Sequence, residues 1–473
     1  WELARQARAH AAGRGWNLAD APGRLRITTL DALALTLVGR MPWTARLGAV
    51  PQPTDHAERL YQAAARAALG CVEEPPPSPD AAAAGTLLAL CDGNWRHAEE
   101  LLAAMLAHRD QWLSAVLQEP RELRAGLEAG FRHQLEADLA AVRAQAAADA
   151  ACGELVALAA AADPGEDSPL HACRGLQALP PARLEAMPAW LGLTHLAATK
   201  SGAPRQRADG RDGLTTKELK ARLRELALDE RTLASLVSLR EFPALPFDED
   251  FWRRLEALLR LLPRAVAELK LQFRASGTCD FTEITLAACQ ALREAGSALA
   301  YALDAQLRHL LVDEFQDTST AHFELLQALV QDWQPGDGRT LFLVGDPMQS
   351  IYRFRNARVD LFLRAAQGRL GSVELEVLQL TSNFRSQAGL VEWCNQKFGQ
   401  IFPASEDAHR GEVKFHPATW VHAAEANAVE PHVASFDHPR HEASMLAEVA
   451  AREREADPNA SVAVLVHNRA HLR

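Results

Sequence analysis

The stretch Leu310-Leu311-Val312-Asp313-Glu314-Phe315-Gln316-Asp317-Thr318-Ser319 decides how this chain is read. Three apolar residues run straight into an acidic pair. That is the pattern of a buried parallel strand ending at the mouth of a nucleotide site. There the first acid, Asp313, suits a magnesium ion and the second, Glu314, suits the orientation of a water. A bare acidic pair after a strand is also a common cap or solvated loop end. The whole string D-E-F-Q-D-T-S is far more specific.

A second string lies downstream: Phe342-Leu343-Val344-Gly345-Asp346-Pro347-Met348-Gln349-Ser350-Ile351-Tyr352-Arg353-Phe354-Arg355. Gln349 follows an apolar run and a turn, where a neutral amide can sense a γ-phosphate without competing for the metal. Phe354 stands between two arginines. Aromatic faces stack on bases and guanidinium groups take phosphates, which grips single strands without reading sequence. Alone, Phe354 reads equally as a core residue.

Working outward, short apolar runs at 309–313, 340–345, 376–381, 432–437 and 461–466 alternate with helical segments. Such alternation predicts a parallel sheet covered on both faces. Toward the N-terminus, residues 24–35 read as a short strand running into a helix. Residues 56–160 repeat apolar positions at three and four, as amphipathic helices do. Proline-rich breaks at 74–79 and 163–169 separate helices, and 199–214 is a polar loop. Helical patterning resumes at Thr216 and runs, with breaks, to about 308. A large helical block is therefore set between pieces of α/β domain.

The chain has 473 residues, 48% hydrophobic and 23% charged, ordinary values for a globular protein with two to four domains. No apolar run is long enough to span a bilayer. The N-terminus lacks a signal-peptide layout and an initiator Met. A fragment of a longer cytoplasmic protein fits these facts. The 7 cysteines are scattered without a C-x-x-C pair, which argues for free thiols and against a zinc or iron–sulfur site. Net charge is -11, which disfavours nucleic acid when taken alone. Between Lys200 and Arg224, however, eight basic residues face three acids, a local excess of five. That is the footprint of a phosphate-contacting surface or of a solvated loop and helix face.

Together these strings resemble the UvrD/Rep/RecB-type superfamily 1 DNA helicases, and most of all the RecB/AddA-like helicase–nuclease branch (the exonuclease V beta type). The specific matches cover about 310–390. Leu380-Thr381-Ser382-Asn383-Phe384-Arg385-Ser386 resembles a further motif of that family. Looser likenesses are collinear with it: Arg26 to Leu33 near the DNA, Thr199-Lys200-Ser201-Gly202-Ala203-Pro204-Arg205 in the helical insertion, Asp280-Phe281-Thr282-Glu283-Ile284, and Ala463 to Arg469.

The resemblance implies an α/β fold of RecA-like P-loop NTPase motor domains with a large all-helical insertion. Residues 1–40 would be part of the first motor domain, 41–277 the insertion, 278–376 the remainder of that motor domain, and 377–473 the start of the second. It implies an ATP-dependent DNA helicase, using ATP and Mg²⁺, that moves on single-stranded DNA in double-strand-break repair and recombination. Single-stranded and duplex DNA would be its partners, with further subunits of a helicase–nuclease complex. Glu314, Gln349 and Arg385 carry catalysis on this reading. Asp313 holds the metal, and Asp313, Gln316 and Phe384 meet the nucleotide. Thr29, Arg205, Arg207, Tyr352, Phe354 and Arg355 meet DNA.

Departures are specific. The chain contains no G-x-x-x-x-G-K-[ST], so it lacks a phosphate-cradling loop. His467 stands where arginine is usual, and Asn356 where glycine is common. An internal fragment of a motor accounts for the missing loop. The competing reading is a DNA-binding scaffold without catalysis. A nuclease in its own right finds no carboxylate–lysine cluster to support it.

Overall fold

The computed structural model describes residues 13–15, 27–41, 44–47, 51–75, 78–117, 120–207, 212–243, 247–294, 307–352, 356–408, 411–424, 428–431, 439–459 and 461–466. Contacts divide the chain into two compact units. The first comprises 1–308 with 319–333, and the second 309–318 with 334–473.

The first unit is built from helices. In chain order they are α1 (Leu30–Arg40), α2 (Glu58–Leu69), α3 (Pro79–Leu90), α4 (Trp95–Ala107), α5 (Leu113–Val116), α6 (Pro120–Ala148), α7 (Ala151–Ala161), α8 (Met187–Ala197), α9 (Lys217–Glu225), α10 (Glu230–Ser238), α11 (Glu249–Ser276), α12 (Phe281–Glu294) and α13 (Thr320–Leu329). Their starts are written in the sequence. Ser78, Asn94, Thr216, Asp229 and Asp248 each accept a backbone N–H of the first turn, as N-caps do. Gly277 ends α11 at φ 69°, in the left-handed region that glycine reaches without strain. Of the strand expected before α1, residues 24–26 lie outside the described residues and 27–29 are irregular; Thr29 is the α1 N-cap, its hydroxyl accepting from Ala32 N at 3.1 Å.

Apolar stripes converge on three cores. One joins α1, α2, α11, α12 and α13 around Leu37, Leu269, Phe273 and Ile284. A second joins α2, α3, α4 and α11 around Leu69, Leu102 and Leu261. A third is formed by residues between 139 and 242, around Trp190, Leu155 and Leu193. Six of the cysteines are buried and Cys394 is half-buried, all of them free thiols. Burial pushes the Cys279 and Cys289 thiols up to about 12, so both stay neutral and inert.

A charged cluster is buried among these helices. Arg109 is fully enclosed and makes a two-pronged pair with Asp280, at 2.8 and 2.6 Å. Its Nη2 also donates to Glu283 at 3.2 Å, and Tyr61 donates to Asp280 at 2.6 Å. Asp280 in turn caps α12, accepting from Glu283 N at 2.7 Å. Asp280 and Glu283 are the acids of the Asp280–Ile284 element, whose role in this unit is to tie α12 to the turn after α4.

The second unit holds β3 (His309–Val312) and β4 (Thr340–Leu343), which pair in parallel and in register from His309↔Thr340 to Val312↔Leu343. The preceding strands β1 (Gln52–Pro53) and β2 (Thr278–Cys279) form a short parallel pair in the first unit. After β4 come α14 (Val359–Ala366), β5 (Arg369–Leu370), β6 (Val373–Glu374), β7 (Ser382–Gln387), α15 (Ala388–Ile401), β8 (Thr419–His422) and α16 (Pro439–Ala456). β7 and β8 are parallel with a register shift, and β5 and β6 form a short antiparallel hairpin.

Among the described residues, the expected sheet covered on both faces is present only as these two-stranded pieces. In β3 and β4, Leu310 and Val312 point inward while Leu311 and Phe342 are exposed. Residues 376–381 are not a strand, and Leu380 is 93% exposed. The strand begins at Ser382, where Asn383 Oδ1 takes both Arg385 N and Ser386 N at 2.9 Å and bends the chain. Residues 461–466 are also irregular and largely exposed, and no strand pairs with them among the described residues. The run at 432–437 lies outside the described residues. No helix among the described residues is long and apolar enough to cross a membrane.

Candidate nucleotide site

The acidic pair sits where β3 ends. Asp313 and Glu314 are both exposed, and Glu314 N donates to Asp313 Oδ1 at 3.0 Å. That bond turns the chain sharply, and Glu314 takes φ 51° and ψ 44°. A non-glycine residue in this left-handed region costs of order 1 kcal/mol and persists where the surroundings impose it. Here they do. Phe315 N donates to Val344 O at 2.8 Å, Val344 N to Val312 O at 2.8 Å, and the Phe315 ring is buried. The β4 end and the acidic turn are therefore laced together.

Gln316 completes the lacing. The family resemblance assigns it to the nucleotide, but its side chain is only 2% exposed and both ends of its amide are used internally. Nε2 donates to Glu314 Oε2 at 2.6 Å, and Oε1 accepts from Asp346 N at 3.0 Å. Each end of this buried amide thus makes one bond within the protein, which holds its plane fixed between the two turns. Asp346 then holds the next turn, accepting from Met348 N at 3.0 Å and from Gln349 Nε2 at 2.7 Å. One hydrogen-bonded path thus runs from Glu314 to Gln349. Asp317 stands beside it, its carboxyl pushed up by burial and then by the Glu314 charge.

Asp313 fits a hard cation. A carboxylate at an exposed strand end offers oxygen, as magnesium requires. Among the described residues no group of three or more potential ligand residues converges. A magnesium ion here would rely on one or two carboxylates, with phosphate and water oxygens supplying the rest, which is its usual habit.

Tyr352 is 37% exposed, and its carbonyl accepts from Ala357 N at 3.2 Å, closing the loop before α14. Asn356 within that loop has φ 65°. The backbone there needs the left-handed region, which explains why glycine is common and why asparagine is tolerated. Arg353, Phe354 and Arg355 lie outside the described residues. On β7, Phe384 is 70% exposed and Arg385 is exposed. Phe384 O accepts from His422 of β8, at 2.8 Å, so the backbone is pinned while the ring is presented.

The basic loop of the first unit is more structured than its composition suggests. Thr199 N donates to Ala203 O at 2.8 Å and Gly202, at φ 87°, donates to Thr199 O at 3.0 Å, forming a tight turn. Arg240 fixes its base by donating to Thr199 O at 2.7 Å and Ala198 O at 3.0 Å. Arg205, expected to meet DNA, points inward. Its guanidinium donates to Asp212 at 2.6 Å, to His195 O at 2.9 Å and to Arg207 O at 3.0 Å, and the side chain is 12% exposed. Asp212 accounts for that orientation: it is a carboxylate only 1% exposed, whose burial demands a cation. Lys200 and Arg207 remain exposed, Arg222 pairs with Glu154 at 2.6 Å, and Arg211 lies outside the described residues. Sequence reasoning missed Arg240, Arg109 and Asp346; the only available signal for Asp346 was its place directly after Gly345.

Comparison with known proteins agrees with the motifs. Residues 198–368 match the UvrD/REP helicase N-terminal domain. An ATP-dependent helicase/nuclease subunit of Pelotomaculum thermopropionicum is 36% identical over 163 residues, 32% of this chain and 13% of that protein. RecB of the RecBCD enzyme from Haemophilus influenzae is 33% identical over 127 residues, 27% of this chain and 10% of that protein. RecB from Chlamydia pneumoniae is 37% identical over 115 residues, covering 24% and 10% respectively. The chain therefore aligns with only a small part of each relative's length.

Proposed function

Starting from a chain whose residues 198–368 are similar to the UvrD/REP helicase N-terminal domain, we propose that it is an internal segment of an ATP-dependent DNA helicase. The parent protein acts in double-strand-break repair and recombination, with partner subunits of a helicase–nuclease complex. It couples ATP hydrolysis to movement on single-stranded DNA. The observation that carries this reading is the hydrogen-bonded path joining Glu314, Gln316, Asp346 and Gln349. It supports the reading because Glu314, proposed to orient water, and Gln349, proposed to sense phosphate, are then joined through one turn pair.

In this account Asp313 would hold the magnesium of Mg²⁺-ATP, and that ion would supply charge neutralisation on the phosphates. Glu314 orients and deprotonates the attacking water. Gln349 reads the γ-phosphate, Phe384 lies against the base, and Arg385 offers positive charge to the transferred group. Thr29, Tyr352, Phe354 and Arg355 lie along the DNA path. Residues 1–40 and 278–376 belong to one motor domain, 41–277 to its insertion, and 377–473 to the second motor domain. The test is ATP-dependent unwinding of a duplex with a single-stranded tail by the full-length protein. Tight DNA binding with no ATP-dependent strand separation would instead favour the scaffold reading.

The segment 199–207 is proposed to contact DNA backbone through Lys200 and Arg207. Changing both to alanine should flatten the dependence of log K on log salt by about 0.7 per lost contact on single strands and about 0.9 on duplex. The loss of affinity should be equal on unrelated sequences. Arg205→Ala should behave differently, lowering the melting temperature because it removes the guanidinium from buried Asp212, whose bond with His195 remains. An unchanged salt slope in the Lys200/Arg207 double variant would remove this segment from the DNA path.

A further inference from the structure

Gln316 has a more specific task than its place in the acidic string suggests. Its carboxamide spans the gap between two loops that carry different parts of the proposed chemistry. The nitrogen end holds one oxygen of Glu314 and the oxygen end holds the backbone N–H of Asp346. The gap exists only because residue 345 is glycine. A Cβ there would lie 2.4 Å from Gln316 Oε1, 3.0 Å from Phe315 N and 3.0 Å from a Phe362 ring carbon. Asp346 carries the connection on, since its carboxylate holds Gln349 Nε2 and Met348 N.

We infer that Gln316 is a positioning residue for ATP hydrolysis: it sets the rotamer of Glu314 and makes that rotamer depend on the turn carrying Gln349. This deepens the reading given under Proposed function and rests on it. Glu314 is exposed, so its side chain needs a hold such as the Gln316 bond to stay in one place. A shift of the Asp346–Gln349 turn pulls on the Gln316 oxygen, and the same rigid amide moves against Glu314. Displacing a catalytic group by about 1 Å costs on the order of 10²-fold in rate. A small motion at the turn is therefore enough to switch water activation on or off.

Two substitutions separate the two ends of the amide. Gln316→Glu keeps an oxygen for Asp346 N but loses the donor to Glu314. Gln316→Met keeps the bulk and loses both bonds. In the full-length protein, both should lower kcat for DNA-stimulated ATP hydrolysis by roughly 10²-fold with KM for ATP unchanged. Hydrogen exchange at the Asp346 amide should remain slow in Gln316→Glu and become fast in Gln316→Met. Gly345→Ala should reproduce the kcat loss by displacing the carboxamide. A rise in KM at constant kcat would mean that Gln316 touches nucleotide, and would overturn the inference. Slow exchange at Asp346 in Gln316→Met would overturn it too, without reference to activity. If the unsubstituted protein turned over no ATP, the functional reading itself would fail, while the exchange result would still decide whether the amide bridges the two loops.

Discussion

Arg109→Ala should destabilise the first unit by about 3–5 kcal/mol, the usual cost of removing one partner from a buried ion pair. Arg109 is fully enclosed, and its loss leaves Asp280 and Glu283, each about 5% exposed or less, without their cation. Lys270 approaches Glu283 only at 3.5 Å and from a half-exposed position, so it cannot replace the guanidinium. The penalty has a sign with pH. Burial pushes the Asp280 carboxyl up, but the charge and hydrogen bonds of Arg109, with the Tyr61 hydroxyl, outweigh it and hold the group below the usual carboxylate range. Its contribution is therefore fully present above the unfolded value and is lost as pH falls through the folded one. In Arg109→Ala only burial and the Tyr61 and backbone bonds remain. If burial then wins, protonation relieves the variant, and the stability gap to wild type narrows on acidification. Urea titrations of both chains at neutral and acid pH measure this. A neutral-pH difference under 1 kcal/mol, of the order of an exposed pair, would contradict the buried cluster.

The second large effect is on chemistry. Glu314→Gln in the full-length protein should reduce kcat by roughly 10²–10⁴-fold, the range attributed to a positioned general base. The amide keeps the shape and the bond from Gln316 can still be accepted by its oxygen, so ATP binding should persist. Asp313→Ala should instead weaken Mg²⁺-ATP binding, because it removes the oxygen ligand at the strand end. Equilibrium binding of a fluorescent ATP analogue, measured beside steady-state turnover, separates the two variants. Wild-type kcat in Glu314→Gln would remove Glu314 from the role assigned here.

How much of this was legible in the sequence depends on the range of the interaction. The β3 and β4 strands and their turns could be read because apolar runs ending in Asp313 and Gly345 have few other meanings. Helix starts were legible where Ser, Thr, Asn or Asp precedes an amphipathic run. The strand expected at 376–381 was not found, because apolar residues such as Leu378 and Leu380 are exposed and the bend at Asn383 begins the strand later. Arg205 looked like a phosphate contact because a basic residue in a polar loop carries no mark of its inward turn toward Asp212. The Arg109–Asp280 pair spans 171 residues, beyond any local pattern. The internal bonds of Gln316 could not be read from its string, since burial of the amide depends on the glycine 29 positions away that makes room for it.

If the turns after β3 and β4 form the hydrolytic part of a DNA-driven motor, the protein must turn over ATP. The measurement is the steady-state rate of ATP hydrolysis by the full-length protein in Mg²⁺, with and without single-stranded DNA. The account predicts turnover that rises when DNA is added and disappears when Mg²⁺ is chelated. ATP bound but not hydrolysed, with DNA present and the protein folded, would contradict it.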